Sequence, residues 1–192
     1  MTRIVLIVHN VRSAHNVGSI LRSADGFVAE KVYLTGYTPY PQGQNDERLP
    51  HIAKRASSKI AKTALGADSN IEWEHATDIN ATLRQLKRQG FLIAALEQKA
   101  VSVNLTDFRP RQPIAVIVGS ETAGIDEAIL KAADTVLAIP MLGDKESFNV
   151  AIAAALALYH LRWYNQTPDD RQNKNGFAKI RPSPNPQTKR GK

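Results

Sequence analysis

Three stretches of the chain carry polar side chains placed where they could act on a ligand. Asn16 and Arg22 follow an apolar run at 4–8, and Gly119 and Glu121 follow one at 114–118. Pro140, Gly143, Ser147 and Asn149 follow a third at 136–139. In an open parallel sheet, ligands settle beyond the carboxyl ends of the strands, where all three stretches would lie. Glycine at such an exit lets the backbone approach a ligand closely. The chemistry on offer is small-ligand binding, centred on Ser147 and Asn149 at the mouth of a buried helix and beside a proline-kinked loop. Taken singly, each signal is ordinary. Glycine is common in βα turns, and Ser147 alone reads as the N-cap of the helix that follows. Other chemistries are set aside. The loop at Gly119 lacks both the GxGxxG of a dinucleotide site and the GK[ST] of a phosphate loop. No GxSxG elbow occurs. His9, His15, His51, His75 and His160 show no metal-ligand spacing, so metal binding is not expected.

The elements that position these groups follow from hydrophobic patterning. The run 4–8 (Ile-Val-Leu-Ile-Val) has the continuous apolar character of a strand covered on both faces. A helix is predicted over 16–27, with Val17, Ile20, Leu21 and Ala24 on one face and Arg22 on another, and a second strand over 31–34. Residues 39–50 form a turn-rich excursion over the surface, and the basic run 48–62 is expected to be partly helical. A short strand is placed at 71–73. A helix then runs from its cap Asp78 to Gln89, with Ile79, Leu83 and Leu86 inward and Gly90 ending it. Buried strands are predicted at 91–96, 114–118 and 136–139. Residues 119–124 make a tight loop feeding a helix at 125–133. The stretch 97–113 gives mixed signals, and no element is assigned there. The last helix, 150–164, is the most hydrophobic; alanine at 151, 153, 154, 155 and 157 leaves little bulk, so other backbone can come close. A helix apolar nearly all round is a buried one. Alternating apolar runs and helices imply an α/β domain of three layers with a mainly parallel sheet.

Composition narrows the class. The 192 residues suit one domain, 1–166, followed by a tail, 167–192. Cysteine is absent, which removes disulfides, thiolate zinc sites and a cysteine nucleophile. The 4–8 run is too short for a signal peptide and no other stretch suits a bilayer, so a soluble cytoplasmic protein is expected. The net charge of +7 is unevenly placed. Seven of the 25 basic residues lie in 171–192 with no acidic one, and the other 18 match the 18 acidic residues. Proline, asparagine and charge replace hydrophobes after 167, so the tail is predicted to be disordered when free.

The combination of motifs says more than any one of them. Asn16-Val-Gly-Ser-Ile-Leu-Arg22, then Ile117-Val-Gly-Ser-Glu121, then Ile139-Pro-Met-Leu-Gly with Ser147-Phe-Asn149 occur in that order. Together they closely resemble the three motifs of the SpoU branch of the SPOUT superfamily, the ribose 2′-O-methyltransferases of tRNA and rRNA. The segment 59–66 (Lys-Ile-Ala-Lys-Thr-Ala-Leu-Gly) is similar to the stretch between the first two motifs of that branch. The resemblance covers roughly residues 4–164. It departs from the family at the long 39–50 excursion and in a first strand that begins at Ile4, whereas many members carry an N-terminal RNA-binding extension.

The resemblance implies a C-terminal deep trefoil knot, a homodimer with its active site near the interface, and S-adenosylmethionine bent within the knot. Backbone near Leu96, Gly119, Ile139, Leu142 and Phe148 would hold the cofactor, and the polar set would be Asn16, Arg22, Glu121, Ser147 and Asn149. Family models often cast the first-motif arginine as the base. A guanidinium titrates above about 12, so deprotonating it at pH 7 costs roughly 7 kcal/mol. Arg22 is therefore expected to anchor a phosphate and stabilise oxyanion charge, with Glu121 or water taking the proton. The RNA, whether tRNA or rRNA, would meet Arg48, Lys54, Arg55 and Lys59, the basic tail, or both. Two alternatives remain: a relative that methylates a base, and a non-catalytic RNA-binding relative.

Overall fold

The computed structural model describes residues 2–43 and 46–163. Seven strands form one sheet: β1 (Ile4–His9), β2 (Lys31–Thr35), β3 (Trp73–Ala76), β4 (Leu92–Leu96), β5 (Val103–Asn104), β6 (Ile114–Val118) and β7 (Thr135–Ala138). Their order is β3-β2-β1-β6-β4-β7-β5 and every pairing is parallel, so all carboxyl ends meet at one edge. The helices are α1 (Ala14–Gly26), α2 (Pro50–Ala64), α3 (Ala67–Asn70), α4 (Ile79–Arg88), α5 (Glu127–Ala132) and α6 (Val150–Trp163).

Side chains alternate across a strand, and the alternation divides the core into two layers. Leu6, Val8, Val116 and Val118 join Val17, Ile20 and Leu21 of α1, Ile60 of α2, and Ala154 and Leu158 of α6. Val5, Ile7, Ala115 and Ile117 join Leu83 and Leu86 of α4 with Ile129 and Leu130 of α5. The molecule is thus a three-layer α/β domain. Every side chain of β6 is buried, and each large one stabilises the fold by about 1.5–3 kcal/mol.

Several boundaries differ from the sequence expectation for identifiable reasons. Helix α1 starts two residues early because Ser13 caps it, its Oγ accepting the Asn16 N–H at 3.3 Å. Strand β3 begins at Trp73 rather than Ile71, whose N–H closes α3 by donating to Ala67 O at 3.0 Å. Helix α5 is shorter than 125–133 because Asp126 (ψ 142°) and Ala133 (ψ 149°) leave the helical conformation and flank it as caps. The unassigned stretch 97–113 holds the two-residue β5 and a single 3₁₀ turn, Leu105–Asp107. The predicted tail lies outside the described residues.

One close approach sets the position of α2. A Cβ at Gly18 of α1 would overlap Ile60 O and Thr63 Oγ1 of α2, so only glycine lets the two helices pack this tightly. The Thr63 hydroxyl donates to His15 O at 2.8 Å and fixes the register.

Candidate active site

The three motifs meet at the carboxyl edge through the Asn16 side chain, which donates to Glu121 and accepts from Asn149. Glu121 lies in the loop after β6, which an antiparallel bridge between Ser120 and Gly124 closes on itself. Its carboxylate accepts hydrogen bonds from Asn16 Nδ2 at 2.8 Å and from the Arg12 and Ser13 backbone N–H groups at 3.2 and 3.4 Å. Asn149 Nδ2 in turn donates to Asn16 Oδ1 at 3.3 Å, and Asn149 Oδ1 accepts the Ala151 N–H at 3.0 Å. Residues 16, 121 and 149, far apart in sequence, therefore form one continuous chain. Burial pushes the Glu121 carboxyl up, but the N–H groups around it outweigh burial and leave it below its ordinary value. Glu121 is an anchored anion, and this makes it a weak base.

Beside this chain lies a cavity of about 550 Å³, within the range that holds small ligands and cofactors. Its walls are the exits of β4, β6 and β7 and the start of α6. Of the residues expected to hold a cofactor, Leu96, Gly119, Ile139 and Phe148 line it. Leu142 does not: it stands fully exposed, because the 140–149 loop carries it away from the wall. Glu121, Ser147 and Asn149 also line the cavity. Asn16 reaches it through Glu121 and Asn149. Arg22 is exposed on α1, lies outside the lining and has no partner among the described residues.

Ser147 is not the helix cap. Helix α6 begins at Val150, so the capping position falls to Asn149, whose side chain serves both the cap and Asn16. Ser147 stays exposed on the cavity wall, free of that structural duty.

Sequence reasoning missed Glu97 and Gln98. Glu97 Oε2 accepts the Ile125 N–H at 2.9 Å and Oε1 the Gln98 N–H at 3.0 Å, bracing the 120–125 loop from the β4 side. Gly124 (φ +69°) makes room for it, since a Cβ there would overlap the carboxylate. Gln98 Nε2 donates to Ile139 O at 2.6 Å and ties the β4 exit to the β7 exit. The available signal was a carboxylate directly after an apolar run.

The basic run divides in two. Lys54, Arg55 and Lys59 are exposed on α2, and with Lys62 they fall within an arc of about 140°, opposite the buried Ala53, Ile60 and Ala64. Arg48 is committed elsewhere. Its guanidinium donates to Asp46 Oδ1 at 2.8 Å and Oδ2 at 2.5 Å, and to the carbonyls of Tyr40 and Pro41 at 3.1 and 3.2 Å. That pairing holds the Asp46 carboxyl down to about 2. Arg48 therefore folds the excursion rather than facing solvent.

Fold and site together define a class: a parallel α/β domain with a ligand cavity at its carboxyl edge and a carboxylate–amide chain on the rim. The chain belongs to the SpoU rRNA Methylase family, whose model matches residues 3–159. It is 29% identical, over 82% of its length, to a Staphylococcus haemolyticus protein named for the TrmH family of tRNA/rRNA methyltransferases. It spans 57% of that relative, little more than half of its length. An AdoMet-bound rRNA methyltransferase from Sinorhizobium meliloti superposes with a TM-score of 0.72 at 23% identity, over 86% of this chain and 57% of that one. A solved RNA 2′-O ribose methyltransferase matches with a TM-score of 0.67 at 28% identity, over 82% of this chain and 55% of that one. No helix among the described residues is long and apolar enough to cross a membrane.

Proposed function

We propose that the protein is an S-adenosylmethionine-dependent ribose 2′-O-methyltransferase acting on tRNA or rRNA. The observation that carries this reading is the Glu121–Asn16–Asn149 hydrogen-bonded chain on the rim of the cavity, in a protein of the SpoU family. The lining suits the cofactor. Leu96, Val118, Ile125, Ile139 and Phe148 offer apolar surface for an adenine, and Glu121 and Glu146 offer negative charge for a sulfonium and an ammonium. Leu96, Gly119, Ile139 and Phe148 would hold it, inside the trefoil knot that the family resemblance implies.

When bound, S-adenosylmethionine supplies an electrophilic methyl carbon. The chain's own residues do the rest. Asn16, anchored by Glu121, and Asn149, bonded to Asn16, orient the ribose hydroxyl, and Ser147 offers a hydroxyl on the same wall. Arg22, unpartnered on α1, takes the neighbouring phosphate and balances oxyanion charge. The 2′-proton passes to water rather than to Glu121, whose proton affinity the N–H groups around it lower. The RNA lies along the cationic face of α2.

The same reading includes a homodimer. Ile152, Leu156 and Tyr159 are 52%, 38% and 47% exposed and recur at helical spacing on one face of α6. The opposite face, with Ala154 and Ala157, is already buried in the protomer. Ile152→Glu should therefore yield a folded monomer by light scattering, and an unchanged mass would refute the interface.

Calorimetric titration with S-adenosylmethionine tests the whole reading. Binding at one site per protomer is expected; no heat of binding would remove the enzymatic assignment.

A further inference from the structure

Two tyrosines at the start of the long excursion are treated in opposite ways. Tyr40 is used internally: the His75 ring stacks on it at 3.9 Å and the Arg48 guanidinium carbon lies 3.4 Å from its centre. Two groups so near one ring centre lie on opposite faces, so both faces of Tyr40 are taken. Tyr37 is 57% exposed, and its ring meets no aromatic or cationic partner among the described residues. A lone exposed tyrosine is ordinary on a protein surface. Its support is not.

The turn carrying Tyr37 is clamped from beneath by buried polar groups. Asn10 adopts a left-handed conformation (φ 56°), which a non-glycine residue enters only at a cost. In that pose its Oδ1 accepts the Tyr37 N–H at 3.2 Å, and its Nδ2 donates to His9 Nε2 at 3.0 Å. His9 Nδ1 then donates to Thr35 Oγ1 at 2.8 Å, the tautomer following from these partners. Gly36 has φ +66°, and a Cβ there would overlap Asn10 Oδ1. Thr38 Oγ1 donates to Val8 O at 3.0 Å and accepts the Val11 N–H at 3.1 Å. Residues 10 and 11 thus hold the tyrosine turn, while the next two, Arg12 and Ser13, donate their N–H groups to Glu121. Two residues of chain span at most about 7 Å. The turn and the rim of the cavity are therefore one rigid unit at the same sheet edge.

We propose that Tyr37 is a base-stacking residue for single-stranded RNA, receiving a base at or beside the nucleotide whose ribose meets Asn16 and Asn149. This rests on the RNA methyltransferase reading above. Stacking tolerates any base, so Tyr37 fixes the position of the strand while the α2 cations hold its phosphates. Asn10 is its positioning residue.

The test compares an oligoadenylate with an abasic oligomer of equal length and charge, using the full chain. Wild type should bind the base-bearing oligomer more tightly, and Tyr37→Ala should lose about 5- to 150-fold on that oligomer alone. Tyr37→Phe should keep the preference, and Tyr37→Ala should melt as wild type does because the ring is exposed. A wild type that binds neither oligomer would remove the RNA reading and this assignment with it. Equal binding of both oligomers by wild type, or a preference that survives in Tyr37→Ala, would overturn the stacking assignment and leave the methyltransferase reading standing.

Discussion

The two halves of the proposed site are built in opposite ways. Around the cavity, side chains brace the loops that give it its shape: Glu97 braces the loop after β6, Gln98 ties Ile139, and Glu121 gathers the N–H groups of residues 12 and 13. On the α1–α2 face the arrangement reverses. The backbones are pressed together at Gly18, and Lys54, Arg55 and Lys59 are displayed. A site shaped by braced loops should fail abruptly when its shape changes. A side-chain-built site should weaken one charge at a time.

The sharpest way to break that contrast is Gly124→Ala. A Cβ there meets the Glu97 carboxylate, and the residue must still hold φ +69°. We expect S-adenosylmethionine affinity to fall roughly 100-fold, about 2.7 kcal/mol by calorimetry, with RNA binding unchanged. Equal losses on both ligands would mean that the halves are not separate. Next in size is Gly18→Ala, which forces α1 and α2 apart against Ile60 O. Overpacking of this kind costs about 1–3 kcal/mol, visible as a lower Tm and weaker RNA binding, with cofactor affinity retained by the folded fraction.

Legibility in the sequence follows the same division. The buried strands and the three-layer α/β class were readable because a sheet buried on both faces writes continuous apolar runs, as at Ile114–Val118, whereas the short, exposed β5 was not. Asn16, Glu121 and Asn149 were readable as a set from their motifs, and the structure joins them in one hydrogen-bonded chain. Glu97 was not. Its role depends on Gly124, a partner 27 residues away whose empty Cβ position it occupies, and no local pattern records that. Arg48 reads in sequence like Lys54, yet Asp46 two residues earlier turns it inward. Ser147 and Asn149 compete for one cap, and only the start of α6 at Val150 decides between them.

The graded half predicts a smaller, additive effect. Replacing Lys54, Arg55 and Lys59 together with glutamine should flatten the salt dependence of single-stranded RNA binding by about 2 units of slope, roughly 0.7 for each phosphate no longer neutralised. Truncation after Gln166 removes seven further basic residues and provides the comparison. If truncation alone flattens the slope, the α2 face is not the main RNA-binding surface.

The smallest expected effect is on pH dependence. Burial lowers His9, His75 and His160 below their ordinary value, partly opposed at His9 by Asp126. Groups depressed in the folded state contribute stability that is complete above the unfolded value near 6.5 and is lost as pH falls below it. Melting temperature should therefore decline from pH 7.5 to 5.5, and less so in His75→Phe, which keeps an aromatic ring beside Tyr40. Glu121, depressed for its own reasons, should stay charged throughout that window.

Methyl transfer to a ribose hydroxyl is expected at the rim formed by Asn16, Glu121 and Asn149. The most direct measurement incubates the protein with unmodified tRNA and rRNA and methyl-labelled S-adenosylmethionine, then identifies the labelled nucleosides by mass spectrometry after digestion. We expect label in 2′-O-methylribose with wild type and its loss with Asn16→Ala. Label on a base, or 2′-O-methylation undiminished in Asn16→Ala, would contradict it.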